Sequence, residues 1–336
     1  MSGPKKRGAA SGGARGQGRN SSRAAGAKSG RSGAPGRGRG GAPRSGSAGA
    51  GPAFGGSGAQ RGDRSRTNRK APEQRGLGGT QVEGRHAVRE LLLAGTRKAK
   101  EILIAEGMDR ADILDDIVEL AQDLRVPVRE VSKKKLDGVS RTEASQGVVA
   151  VADPIKERPL EELCETQNGM APFLVAVDGV TDPGNLGAII RTAECAGVSG
   201  MVLPKHRAVH VTPTVTKAAA GAVEHVPMAL VGGLPRAIEE MQRAGVWVLG
   251  LDMGGDVSIH EVALGAEPVC LVMGAEGAGL SRLVRERCDQ VVSIPLAGQL
   301  SSLNVSTAAA LAIYEVVRRR GSEARAEGPA GAAGGR

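Results

Sequence analysis

Between residues 172 and 296 the chain repeats one pattern, a short and almost uninterrupted apolar run followed by a stretch with helical apolar spacing. The runs are Phe173–Val180, Gly200–Pro204, Val226–Val231, Val246–Asp252, Pro268–Gly274 and Gln290–Leu296. A strand with one wet face alternates apolar and polar residues, so runs that fail to alternate must be covered on both faces. Helical spacing lies between and after them, at Leu186–Ala196, Val215–Ala220, Leu234–Ala244, Leu280–Arg287 and about Asn304–Arg319. The predicted fold class is α/β, a mostly parallel sheet with helices on both sides, over residues 172–320.

A smaller α/β unit is predicted upstream, over residues 80–153. It has a helix at Gly84–Leu93, a strand at Glu101–Glu106, a helix at Ala111–Leu124, and strands at Val126–Val131 and Gly147–Asp153. Polar residues with Pro154 and Pro159 make 154–171 a linker. Residues 1–79 are Gly, Arg, Ser and Ala with scattered Pro and no period of 2 or 3.6. Such a segment buries too little apolar surface to offset its ordering entropy, so it is expected to be disordered, with order beginning near Val82. Residues 321–336 return to Gly, Ala and Glu and read as a frayed tail.

Charge is split along the same boundary. Residues 1–79 hold 17 Lys/Arg against 2 Asp/Glu, leaving 28 basic and 34 acidic residues in 80–336. A basic arm on a mildly acidic body reads either as a nucleic-acid tether or as a solubilising extension. Basic residues that could meet RNA in the body are Arg85, Arg97, Lys98 and Lys100, and the run Lys133, Lys134, Lys135, each cluster also explicable as a solvated face. One Trp, one Tyr and two Phe are too few for a single-strand stacking platform. The four cysteines, Cys164, Cys195, Cys270 and Cys288, form no C-x-x-C pair and are expected as reduced thiols, mostly packed as small apolar residues. No apolar run reaches the roughly 18–20 residues of a membrane span, and no apolar segment follows the basic N-terminus as in a signal peptide. The expected location is cytoplasmic. The five His residues are scattered without metal-site spacing, so no metal is expected.

Three segments after predicted strands carry the polar chemistry, where open α/β sheets place ligands. The first, Asp178–Gly197, holds the turn Asp182-Pro183-Gly184, then Asn185 and, six residues on, Arg191. Asn185 reads as a helix cap or as a site residue, and Arg191 as a site cation or a solvated helix charge. The second, Met273–Ser281, sets Gly274, Gly277 and Gly279 around one carboxylate, Glu276. It is neither a P-loop nor G-x-G-x-x-G. The third, Ile294–Val317, opens an apolar helix with Ser301, Ser302, Asn304 and Ser306, more capping candidates than one helix start needs.

In this order "NLGAIIRTA", "GAEGAGL" and "IPLAGQLSSLNVSTA" resemble the SpoU (TrmH) family of RNA ribose 2′-O-methyltransferases, within the SPOUT class. The resemblance covers about 172–320. With "GRHAVRELL" and "SQGVVAVA", which look like the family's RNA-binding domain, it extends to about 80–320. The two-domain form is most like the subgroup that methylates a guanosine of 23S rRNA, although Ser145 stands where many relatives carry His. The resemblance implies a C-terminal trefoil knot, otherwise nearly absent from proteins. It implies S-adenosylmethionine as cofactor, bent in the knot, with Gly274, Ile294, Leu296, Leu303 and Asn304 at its site. Asn185, Arg191, Glu276, Ser302 and Asn304 fall on the family's catalytic positions. The implied partners are large-subunit rRNA and a second copy of the chain, in a homodimer whose active site draws on both subunits. Arg191 is then either the general base or a cation that binds the neighbouring phosphate and stabilises the oxyanion. A guanidinium pKa above about 12 favours the second.

Alternatives are a tRNA ribose 2′-O-methyltransferase, a self-resistance enzyme on rRNA, and a non-catalytic ribosome-assembly RNA-binding protein. The last should have lost Arg191, Glu276 or Asn304, all of which are present. A Rossmann dehydrogenase is excluded by the missing glycine pattern.

Overall fold

The computed structural model describes residues 76–326 apart from 109, 110, 207 and 264; residues 1–75 of the arm expected over 1–79, and 327–336 of the tail expected over 321–336, lie outside the described residues. The described elements all belong to one compact unit, Asn68–Arg336. It holds two sheets. The first is built from β1 (Gln81–Glu83), α1 (Arg85–Ala94), β2 (Ala99–Ala105), α2 (Asp112–Asp123), β3 (Val128–Val131), α3 (Lys133–Val139) and β4 (Val148–Ala152). Its order is β1-β4-β2-β3, with β4 antiparallel to both neighbours and β2 parallel to β3. Helix α1 buries Ala87, Val88, Leu91 and Leu92, and α2 buries Leu114, Ile117 and Ala121. These are the one-face spacings that a helix on a sheet requires. Strand β1 and helix α3 are additions to the sequence reading, both too short to show a period.

After the short helix α4 (Leu160–Leu163), inside the expected linker, the second sheet begins. Its elements are β5 (Phe173–Val177), α5 (Pro183–Cys195), β6 (Gly200–Pro204), α6 (Pro213–Ala218), a 3-10 turn (Ala222–Glu224), β7 (Met228–Val231), α7 (Leu234–Arg243), β8 (Trp247–Leu251), β9 (Val257–Ser258), β10 (Val269–Met273), α8 (Arg282–Arg287), β11 (Gln290–Ser293) and α9 (Val305–Ala326). The order is β7-β6-β5-β10-β8-β11-β9, and every neighbouring pair is parallel. The unbroken apolar runs have their explanation here. Phe173, Val175 and Val177 of β5 enter one core, while Leu174 and Ala176 enter the other. In β10, Val269, Leu271 and Met273 face the first core, and Cys270 and Val272 the second. Each such Val or Leu contributes roughly 1.5–3 kcal/mol by leaving water.

Three boundaries differ from the sequence reading. Order does not wait for residue 80: Leu77 is buried in the larger core, Val211 N donates to Leu77 O, and Gly79 N donates to Val211 O. Nor does the last helix stop at Arg319. It runs to Ala326, across the start of the expected tail. Arg320 holds its end down, donating to the carbonyls of Ala171, Pro172 and Glu267 and lying over the Phe173 ring. Helix α5 starts at Pro183, and its cap is Asp182, whose carboxylate accepts from Asn185 N at 2.7 Å. Asn185 is therefore not the cap and keeps its side chain for other work.

A fourth correction concerns charge. Arg97 does not face RNA. It pairs with Glu224 at 2.6 Å, with side chains 5 % and 1 % exposed, and also donates to Asp153 O and Gly79 O. Lys100 pairs with Asp153. The sequence could not show that Arg97 meets a carboxylate 127 positions away. This ion pair fastens the small sheet to the turn after α6, beside a hydrogen-bond contact of His225 Nε2 with Glu90 Oε2 at 2.9 Å.

Removing one member of a buried pair strands the other charge. Arg97→Met or Glu224→Gln should each cost about 3–5 kcal/mol in denaturant unfolding, with the double variant well short of their sum. On α9, the hydrogen bond from Arg318 leads the effects that hold the Glu315 carboxyl at about 2, with Arg319 and His260 assisting against burial. A depressed carboxylate pKa stabilises the fold above the unfolded value and loses that contribution as pH falls through the folded one. Glu315→Gln should accordingly flatten the fall in Tm between about pH 4.5 and 2.

Candidate active site

Strand β10 is a late strand inserted between β5 and β8, so the sheet's connections diverge around it. Ligands in open parallel sheets lie beyond the carboxyl ends of strands at such a place. Here three loops leave adjacent strands, after Leu251 of β8, Met273 of β10 and Ser293 of β11. Between them is a cleft of about 530 Å³. Of the expected cofactor residues, Gly274, Ile294, Leu296 and Leu303 line it and Asn304 does not; Glu276 and Ser302 of the expected catalytic set also line it. Its size lies within the usual range for small-molecule sites, about 300–1,000 Å³.

Backbone forms much of the wall. A Cβ on Gly274 would stand 2.3 Å from Gly279 C and 2.5 Å from Leu280 N, so no side chain fits. The loop closes on itself, with Ala275 N donating to Gly279 O at 2.8 Å and Gly279 N to Ala275 O at 2.9 Å. Two carboxylates from neighbouring strand ends hold its far side. Asp252 Oδ2 accepts from Leu280 N at 2.9 Å, and Asp178 Oδ2 from Ser281 N at 2.7 Å. Asp252 also accepts from Gly254 N and pairs with Arg285 at 2.9 Å. Partial burial works to raise its pKa, but the bonds from Leu280 N, Gly254 N and Arg285 outweigh that and keep the carboxyl below its ordinary value. Asp252 was missed as a site residue. Its signal was present, since it ends the apolar run Val246–Asp252 at the ligand-bearing end of a strand.

Glu276, at the tip of this loop, reaches two other segments. Asn185 Nδ2 donates to Glu276 Oε2 at 3.2 Å. Asn304 Nδ2 donates to Asn185 Oδ1 at 2.9 Å and makes a longer 3.5 Å contact to Glu276 Oε1. The other end of the Asn304 amide caps α9, with Oδ1 accepting from Ser306 N at 2.9 Å, Thr307 N at 3.3 Å and Ser306 Oγ at 2.6 Å. The one amide of Asn304 thus caps α9 and also bonds to Asn185. Three of the five expected catalytic positions, from α5, the β10 loop and the start of α9, form one network. Ser302 lines the cleft beside it.

Arg191 is not in that group. It is exposed on α5, is absent from the cleft wall, and makes no ion pair among the described residues. Six residues along a helix place it about 9 Å beyond Asn185. Burial pushes the Cys164 thiol up to about 11 and the Cys288 thiol to about 12, and it also raises Cys270 and the exposed Cys195. Among the described residues, no group of His, Cys, Asp and Glu could hold a metal, and no helix is long and apolar enough to cross a membrane.

A parallel sheet with a backbone-walled cleft over its strand ends, and a carboxylate–amide network beside it, defines an α/β small-molecule-binding enzyme class. Comparison with known proteins narrows this. Residues 172–314 match the SpoU rRNA methylase family, and residues 81–158 match the RNA 2′-O ribose methyltransferase substrate-binding family. The 23S rRNA (guanosine-2′-O-)-methyltransferase RlmB of Pseudomonas aeruginosa is 42% identical over 244 residues, covering 71% of this chain and 96% of that protein. Among solved structures, an AdoMet-bound rRNA methyltransferase from Sinorhizobium meliloti is 29% identical, with TM-score 0.60, covering 71% of this chain and 87% of that one. The SpoU methyltransferase AviRb from Streptomyces viridochromogenes, in complex with AdoMet, is 27% identical with TM-score 0.61, covering 74% and 91%. The chain belongs to the SpoU rRNA methylase family.

Because the Gly274 Cβ would meet backbone rather than a movable side chain, Gly274→Ala should weaken cofactor binding by about 100-fold or more in calorimetry. Affinity within threefold of wild type would show that the close backbone approach is unimportant.

Proposed function

We propose that this protein transfers the methyl group of S-adenosylmethionine to the 2′-hydroxyl of a guanosine ribose in 23S rRNA. The observation that carries the reading is the Asn185–Glu276–Asn304 network at the rim of a cleft walled by Gly274. The cleft suits the cofactor: Gly274 permits close backbone approach, and Ile294, Leu296 and Leu303 offer apolar surface. When bound, S-adenosylmethionine supplies a methyl activated by its sulfonium.

The protein's task is then the nucleophile. A ribose hydroxyl is a weak acid, and it must be held in line with the methyl while negative charge develops on its oxygen. Arg191 binds the phosphate next to the target ribose and stabilises that charge. Glu276 orients Asn185, while Asn304 and Ser302 fix the loop against the cofactor. Since Arg191 lies outside its own subunit's cleft, the site is completed by Arg191 of a second copy in a homodimer. Exposed Leu303, and Leu311 and Tyr314 on the outward face of α9, are apolar surface that a second copy covers. The late insertion of β10 and the return of α9 onto α5 support a C-terminal trefoil knot. The small sheet, 80–153, serves as the RNA-binding part, and the protein works in the cytoplasm on ribosomal RNA.

Arg191→Ala should reduce transfer of labelled methyl to RNA by at least about 10³-fold while cofactor affinity and dimer formation persist. Transfer at near wild-type rate would remove Arg191 from the mechanism.

A further inference from the structure

The small sheet carries a second cleft, of about 810 Å³, that the methyl-transfer chemistry leaves unused. Three independent features meet there. The first is a constrained backbone. Gln146 sits at φ 54, in the left-handed region that a non-glycine residue enters at a cost. Arg85 holds it there from two sides, its backbone N donating to Gln146 Oε1 at 3.1 Å and its Nε to Gln146 O at 3.2 Å. With Oε1 so engaged, the amide NH2 of Gln146 is left as a donor, without a partner among the described residues. The next residue, Gly147, lies at φ 78, a backbone conformation that favours glycine, and packs against the Met108 side chain. Strain of this kind beside a cleft points to function.

The second feature is charge placed against local preference. Helix α3 opens with Lys133, Lys134 and Lys135, all exposed, with no acidic residue in its first turn. Positive charge at a helix N-terminus opposes the helix dipole, and none of the three lysines has an ion pair among the described residues. An external polyanion would reverse that penalty. The third feature is a rigid mounting. Glu83 is fully buried, and its carboxylate accepts from Arg141 N at 2.7 Å, Thr142 N at 3.1 Å and Thr142 Oγ1 at 2.5 Å. Gln81 Nε2 donates to Glu83 at 2.7 Å and to Val139 O, at the end of α3, at 2.9 Å. A buried carboxylate thus fixes the lysine helix to the sheet.

We infer that this cleft grips an unpaired nucleotide of the RNA substrate, separate from the nucleotide whose ribose is methylated. Lys133–Lys135 take phosphates at the rim, and Gln146 donates to the edge of an extruded base. The acidic lining residues Glu106, Asp137 and Glu143 repel phosphate from the interior and accept from base amino or ring N–H groups. In a chain with so few aromatic residues, His86 and the planar guanidinium of Arg85, both lining the cleft, provide the stacking surfaces that unpaired RNA requires. This site rests on the reading that RNA is the methyl acceptor.

The test uses the full chain and an RNA transcript that the wild type methylates. The triple variant K133A/K134A/K135A should lower the slope of log affinity against log salt by about 2, since each single-stranded phosphate left without its lysine removes about 0.7. Q146N, which retains a residue tolerant of the left-handed region, should weaken RNA binding about tenfold and raise the RNA KM, with the salt slope unchanged. In both variants kcat at saturating RNA and cofactor affinity should stay at wild-type values. An unchanged slope in the lysine variant, or unchanged RNA affinity in Q146N, overturns the cleft assignment while the catalytic reading stands. A wild type that methylates no RNA overturns the catalytic reading, and the inference with it.

Discussion

The side chain of Asn304 joins the helical scaffold to the site. Its oxygen takes the first free N–H groups of α9, and its nitrogen reaches Asn185 and, less closely, Glu276. A residue that only capped the helix could be replaced by Ser or Asp, since each offers an acceptor oxygen. Neither supplies the N–H donors of the second task. The network therefore ties the start of α9, the start of α5 and the β10 loop to one another, although 119 and 28 positions separate Asn304 from its two partners.

That tie works because the sheet has already brought the three segments together. Placing β10 between β5 and β8 puts the ends of β8, β10 and β11 over one cleft. Two acids at strand ends then pin the glycine loop: Asp178 holds Ser281 N and Asp252 holds Leu280 N. The cleft is shaped by backbone, and backbone can be set only by residues that leave it room. Gly279, at φ 67 and with Asp252 Oδ2 2.4 Å from its absent Cβ, meets that demand as Gly274 does. The glycines and the acids form one device, in which the acids compensate the N–H groups that a tight loop leaves without partners.

Much of this was legible in the sequence, for identifiable reasons. Apolar runs buried on both faces announced the parallel sheet because β5 and β10 feed two cores at once. The polar cluster before α9 gave itself away by exceeding what a cap requires. What stayed hidden depended on partners distant along the chain. Arg97 looked like a surface cation until Glu224 met it, and Asp252 looked like the end of a strand until Leu280 N and Arg285 bonded to it. Asn185 was ambiguous because Asp182, three residues earlier, is an equally good cap, and spacing alone does not choose between them. The short strand β1 and helix α3 offered no period to read, yet α3 lines the second cleft and Gln81 of β1 bonds to the end of that helix.

Removing Arg97 from the exposed cations leaves the body, already mildly acidic in sequence, with fewer positive charges to offer RNA. On the proposed reading, the body of the protein then recognises RNA through a few well-placed groups rather than a broad basic face, and the cleft beyond β8, β10 and β11 holds the cofactor. The most direct measurement of this account is nucleoside mass spectrometry after incubating the protein and methyl-labelled S-adenosylmethionine with RNA fractions from cells that lack the gene. The account predicts label in 2′-O-methylguanosine of the large-subunit RNA. Label in tRNA alone, on a base rather than a ribose, or in no RNA at all, from folded protein that binds the cofactor, would contradict it.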